Sequence, residues 1–154
     1  PPNDLRFPYN IRRGVGLFQR LYVDGKTFEP KPDASEAVNR GGYLVMGPGH
    51  CTECHSPRNA LGGLIASEAF AGAKSPEGGG DAPNITPSPD GIGDWMEDDI
   101  AYFLETGSTP DVDVVGESMV PVQENMARLP ASDRAAIAAF LKAVPPRPDP
   151  ADTP

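Results

Sequence analysis

Basic residues are scarce in this chain. Thirteen Lys+Arg stand against 22 Asp+Glu, a net charge of −9. A nucleic-acid surface needs a basic face, so that class of partner is excluded. Long hydrophobic runs are also missing. No stretch approaches the roughly 20 apolar residues that cross a bilayer, so no transmembrane segment is expected. Aromatics are 7% and apolar residues 38% of 154 residues, a modest supply for a core. That length suits one domain, and burial of a cofactor would supplement its core. Pro (19) and Gly (17) are what the chain has in quantity, Pro well above the usual figure of about 5%. Short helices joined by long loops follow from that composition.

Cysteine and histidine number two each, and three of these four residues fall in Cys51-Thr52-Glu53-Cys54-His55. This is C-x-x-C-H, the signature for covalent attachment of a c-type haem. Two thiols three positions apart can add to the two vinyl groups of one porphyrin. The histidine that follows is then held under the iron, where a neutral imidazole nitrogen can ligate it. With both cysteines so committed, no disulfide is expected. A redox dithiol would want a preceding strand in a βαβ setting. Zinc would need His50 as a fourth ligand, crowding the whole set into six residues, whereas structural zinc sites draw on separated pairs. Haem attachment of this kind takes place outside the bacterial cytoplasm. That places the protein in the periplasm or on the outer face of the inner membrane, with a leader removed. The haem propionates would add to the negative charge, which suits a partner with a basic docking surface or simply keeps the protein soluble.

Residues 1–33 read as an irregular N-terminal extension or linker, punctuated by Pro1, Pro2, Pro8, Pro30 and Pro32. Within it Gly14–Tyr22 is amphipathic, and Arg12, Arg13 and Arg20 make it the most basic part of the protein. A helix is expected from Asp33–Glu36, whose spacing suits a capping box, to about Met46. Gly41 and Gly42 in its middle cost roughly 1 kcal/mol each relative to Ala and imply close approach of another helix. Residues 57–93, with Gly78-Gly79-Gly80 and Pro83-Asn84-Ile85-Thr86-Pro87, read as a long loop that covers the haem. A second capping-box spacing, Asp94 to Glu97, predicts a helix over Trp95–Glu105 with Ile100, Phe103 and Leu104 inward. Residues 108–129 read as loop. Pro130 opens the last helix, where Ile137, Phe140, Leu141 and Val144 recur at helical spacing. The domain thus covers 34–145, and 146–154 reads as a disordered tail.

This layout resembles the class I c-type cytochromes, and most of all the haem domains in cytochrome c subunits of bacterial alcohol, gluconate and aldehyde dehydrogenases. The residues that carry the likeness are Arg40–Val45, Cys54-His55-Ser56-Pro57-Arg58-Asn59, Pro83–Pro87, Gly91–Trp95 and Ala136–Leu141. The segment Leu5–Asn10 resembles the linkers before later haem domains in those multihaem subunits. The resemblance implies an all-α cytochrome c fold wrapped around one covalent haem c. It implies thioether anchors at Cys51 and Cys54, and His55 as proximal ligand with its other ring nitrogen on the Pro83 carbonyl. Trp95 and Arg58 would reach the propionates. Of four methionines, Met119 matches the sixth ligand in position, with Met126 the alternative; Met46 is expected in the core and Met96 on its helix stripe or in solvent. His50, joined directly to Cys51, can hardly reach the opposite haem face.

The function so implied is electron transfer from a dehydrogenase partner toward the respiratory chain, not catalysis. Two other readings stand beside it. One is a haem enzyme with an open or displaceable sixth position, a peroxidase or a sulfur-compound oxidoreductase. The other is a docking module whose haem only fills the core and whose contact is the basic stretch 12–20.

Overall fold

A computed structural model describes residues 4–7, 10–23, 25–74 and 80–150. Pro1, Pro2, Pro8, Tyr9, Gly78, Gly79 and the last four tail residues lie outside them.

The two adjacent glycines mark the principal helix crossing. They lie in α2 (Glu36–Met46), which packs across α6 (Ala131–Ala143). A Cβ on Gly41 would fall 1.9 Å from the Ala136 carbonyl oxygen, and one on Gly42 would fall 3.0 Å from the rings of Phe140 and Phe28. The backbones therefore meet at a distance that only glycine permits, and the close helix approach expected from sequence is present. Around the crossing, Leu44 and Val45 of α2 meet Ile137, Ala138 and Leu141 of α6. Burial of each of the leucine, isoleucine and valine side chains stabilises the fold by about 1.5–3 kcal/mol. Arg40 on α2 donates from Nε and Nη2 to both carboxylate oxygens of Asp133 on α6, at 2.9 and 2.8 Å. That pair fixes the rotation of one helix on the other.

The same guanidinium holds the Asp133 carboxyl below its ordinary range. The unfolded value is about 3.9, so the contribution is complete above that pH and fades as pH falls through the lower folded value. Asp133→Asn should therefore lower the urea midpoint slightly at pH 7, and the gap to the parent protein should narrow below about pH 4. A gap that stays constant with pH would remove this account.

The remaining elements are arranged around that pair. Helix α4 (Glu97–Thr106) packs on α6 through Ile100 and Leu104, with Phe103 partly buried. It ends at Gly107, whose left-handed φ of +78° lets its N–H close the helix on the Phe103 carbonyl. Short helices α3 (Cys51–His55) and α5 (Val120–Met126) and 3₁₀ turns at Ala66–Glu68 and Glu117–Met119 lie between these longer helices and beside them. The strand content among the described residues is one antiparallel pair, β1 (Ala73–Lys74) with β2 (Asp81–Ala82). The fold is the all-α cytochrome c fold expected.

Several details differ from the sequence reading, each for a local reason. Ser35, not Asp33, caps α2, its Oγ accepting from the Val38 N–H at 3.2 Å. Helix α4 starts at Glu97, not Trp95, because Asp99 accepts from the Met96 N–H at 2.8 Å while Asp94 stays in the preceding turn. The segment 108–129 contains α5, with Pro121 in its first turn. The basic stretch is a regular helix, α1 (Arg12–Tyr22). It rests on the domain where the Tyr22 ring fills the space beside Gly63 and its hydroxyl meets Asn59, while Val15, Leu17 and Leu21 are exposed. Met46 is 49% exposed and not in the core, since it follows Val45 around the helix onto the outer face. The expected tail is tied down at two residues: Arg147 and Asp149 accept from the Asn84 amide, and the Asp149 N–H donates to Asp90.

Candidate cofactor site

The turn Gly47-Pro48-Gly49 brings the chain from α2 straight into α3. His50 occupies the N-cap of α3 with φ +52° and is exposed. It is part of the turn and is not aimed into the core. Within α3, Cys51 and Cys54 are three residues apart and so share one face. Cys51 is half-buried against the core and Cys54 is exposed. Burial pushes the Cys51 thiol up to about 11, with a smaller contribution from neighbouring Cys54, so it is a neutral thiol and not a thiolate.

His55 is 8% exposed, and its Nδ1–H donates to the Pro83 carbonyl at 2.7 Å. A carbonyl can only accept, so the proton sits on Nδ1 and Nε2 keeps its lone pair. Burial lowers the proton affinity of the ring, the Pro83 carbonyl opposing it in part. The product is a neutral imidazole with one nitrogen committed and the other available to a metal. Two backbone bonds hold this arrangement: Gly72 N–H to the His55 carbonyl and Ile85 N–H to the Phe70 carbonyl, both at 2.9 Å. They lay the 70–72 and 83–85 segments against α3.

The donors fit a haem c: two thiols on one helical face and a buried neutral imidazole directly beside them. They do not fit zinc, since no three His, Cys, Asp or Glu side chains converge among the described residues. Nor is there a βαβ setting for a redox dithiol, because the described strands are two residues long.

The methionines separate by environment. Met96 is 67% exposed and stands at the start of α4. Met126 is partly buried and packs against the hydrophobic core, where it fills space. Met119 is half-buried, at the junction of the 3₁₀ turn and α5, and is not part of that core cluster. Gln123, one turn further on, donates from Nε2 to the Leu104 and Glu105 carbonyls at 3.3 and 3.0 Å. It thereby ties α5, which directly follows Met119, to the end of α4.

Trp95 packs edge-on against Phe103 with ring centroids 5.7 Å apart. No hydrogen-bond acceptor for its indole N–H is found among the described residues, so that donor is available to a propionate. Arg58 is differently placed. It pairs with the Glu53 carboxylate and donates to the Gly62 carbonyl at 2.8 Å. Its donors serve the loop after α3, and reaching a propionate would require giving up these partners.

Lys142 escaped the sequence reading. A lysine in the last turn of a helix looks like ordinary dipole compensation. Its Nζ instead donates to the carbonyls of Ile92, Gly93 and Trp95, at 3.2, 2.9 and 2.8 Å, and so fixes the turn that presents Trp95. Lys142→Met should cost about 2 kcal/mol, since three carbonyls lose a charged donor. The urea midpoint measures this, and an unchanged midpoint would show the contacts to be incidental. Asn84 was also missed as anything beyond a neighbour of Pro83. Its five-percent exposure and its bonds to the C-terminal segment became visible only in the folded chain.

A helical fold with a C-x-x-C-H turn, a buried histidine and a carbonyl behind it defines a c-type cytochrome domain, a haem-bearing electron-transfer module. The relatives make the class narrower. The chain is 46% identical over 144 residues to a dihaem c-type cytochrome of Cereibacter sphaeroides, covering 94% of this chain and 47% of that protein. It is 36% identical over 147 residues to the fructose dehydrogenase cytochrome subunit of Gluconobacter japonicus, covering 94% of this chain and 30% of that subunit. It is 34% identical over 150 residues to the gluconate 2-dehydrogenase cytochrome c subunit of Pantoea cypripedii, covering 92% of this chain and 34% of that subunit. The chain is therefore a c-type cytochrome haem domain homologous to the cytochrome subunits of bacterial dehydrogenases, parts named for their cytochrome and not for catalysis. It spans about half or less of the length of the curated relatives it matches. No family model matches the chain. No described helix is long and apolar enough to cross a membrane.

Proposed function

We propose that this chain holds one haem c and relays single electrons from a dehydrogenase toward the respiratory chain, on the periplasmic side of the inner membrane. The observation that carries the proposal is the state of His55: neutral, buried, its Nδ1 engaged by Pro83 and its Nε2 available. Cys51 and Cys54 anchor the macrocycle by thioether bonds, His55 supplies the proximal nitrogen and Met119 the distal sulfur. Bound haem supplies a one-electron iron couple whose potential rises with His/Met ligation. The protein's part is positional. Pro83 fixes the ring of His55 and raises its basicity, Gln123 sets the Met119 segment, and Lys142 presents the Trp95 indole to a propionate. Arg58 acts on the loop beside Cys54 and not on the haem. The dehydrogenases named for the relatives supply the class of donor.

Two protein ligands leave no position open for small molecules. A low-spin spectrum in both redox states, unaltered by cyanide or carbon monoxide, is the expected result. A high-spin spectrum that shifts on adding either would favour the enzyme reading instead.

A further inference from the structure

The C-terminal residues, which in sequence look like a tail, form a strap bonded to the residue next to Pro83. Asn84 is 5% exposed and Thr86 fully buried. The Asn84 amide nitrogen donates to the Arg147 carbonyl at 2.9 Å and to the Asp149 carboxylate at 3.1 Å, with the Ser88 hydroxyl at 3.4 Å. Its amide oxygen accepts from the Thr86 N–H at 2.8 Å and the Thr86 hydroxyl at 2.7 Å. The Arg147 N–H donates to the Thr86 hydroxyl oxygen at 3.1 Å, and the Asp149 N–H donates to Asp90 at 3.3 Å. A side chain with every polar atom used and almost no solvent contact is over-determined in position. The carbonyl that accepts the His55 Nδ1–H hydrogen bond belongs to the residue immediately before it.

We infer that Asn84 and the strap Pro145–Asp149 are positioning elements for the proximal histidine, setting the strength of the His55–Pro83 hydrogen bond and, through it, the reduction potential. This rests on His55 being the proximal ligand. A firmly held carbonyl draws on the Nδ1 proton and makes the imidazole a better donor to oxidised iron. When the strap is lost, the clamp on Asn84 goes with it, and Pro83 is left to the Ala82 pairing with Ala73 before it and the Ile85 bond to Phe70 after it. The hydrogen bond weakens and the reduced state is favoured.

The test uses the haem-loaded protein ending after Pro146, the single variants Asn84→Ala and Asp149→Ala, and the combination of Asn84→Ala with the truncation. The truncation and Asn84→Ala should each shift the reduction equilibrium about threefold toward the reduced form, ~28 mV at 59 mV per decade. Each should also speed solvent exchange of the His55 Nδ1 proton, followed by NMR in the reduced state. Asp149→Ala should do the same to a smaller extent, which keeps the idea testable if the truncated chain folds poorly. The combined variant should shift no further than either alone, since both act through one contact. Additive potential shifts with unchanged Nδ1 exchange would overturn the inference and make the strap a solvent cover. An unaltered potential in a truncated, low-spin protein would overturn it as well. Absence of a histidine-ligated low-spin haem in the parent protein would instead sink the ligand assignment on which it rests.

Discussion

Met119→Ala is expected to convert the low-spin haem protein to a high-spin or newly ligated form and to lower its potential. The thioether is a soft ligand that favours reduced iron. Its loss should move the potential by on the order of 0.1 V or more, inside the ~0.8 V range that axial ligands command. Met126→Ala should behave differently. That side chain packs against the core cluster, so its truncation should cost about 2 kcal/mol of stability and leave the spectrum unchanged. The two variants together decide the distal ligand. If Met126→Ala gives the spectral change and Met119→Ala does not, the roles are reversed, and the placement of Met119 by Gln123 has no bearing on the iron.

Gly41→Ala is the second large effect, here on stability. In most helices the change would gain about 1 kcal/mol of propensity. Here the added methyl meets the Ala136 carbonyl oxygen at 1.9 Å and the Phe140 Cβ at 2.8 Å. Backbone cannot rotate aside as a side chain can, so α2 and α6 must move apart across the centre of the core. Overpacking of that kind costs up to about 3 kcal/mol or more and outweighs the propensity gain. A net loss of about 2 kcal/mol would lower the melting temperature by roughly 4–8 °C in a domain of this size. Gly14→Ala in α1 is the control, since nothing lies within 4 Å of its added methyl. It should be neutral or stabilising. A Gly41→Ala protein that melts with the parent would mean that the crossing is looser than described.

What the sequence revealed and what it hid divide along the range of the interactions involved. Helix α6 was readable because Ile137, Phe140, Leu141 and Val144 repeat at helical spacing, and Gly41-Gly42 announced a close neighbour without naming it. The cofactor motif is contiguous, so it needs no fold to be recognised. Helix α5 was hidden because its seven residues hold a proline and no apolar repeat long enough to register. The caps of α2 and α4 were misplaced by one choice among adjacent acids and serines, which only the local backbone settles. Lys142, Gln123 and Asn84 act on carbonyls 47, 19 and 63 residues away. Such contacts between a polar side chain and a distant backbone leave no periodic trace. For the same reason the strap, rich in proline and charge, read as disorder.

The central claim is that one haem is joined to this polypeptide through both cysteines of α3. Denaturing mass spectrometry of protein produced in a bacterial periplasm with the haem-attachment machinery tests it most directly. The account predicts the mass of the chain plus one haem, resistant to acid-acetone extraction and lost in the Cys51→Ser, Cys54→Ser double variant. A mass equal to the bare polypeptide, or a haem that the solvent removes, would contradict it.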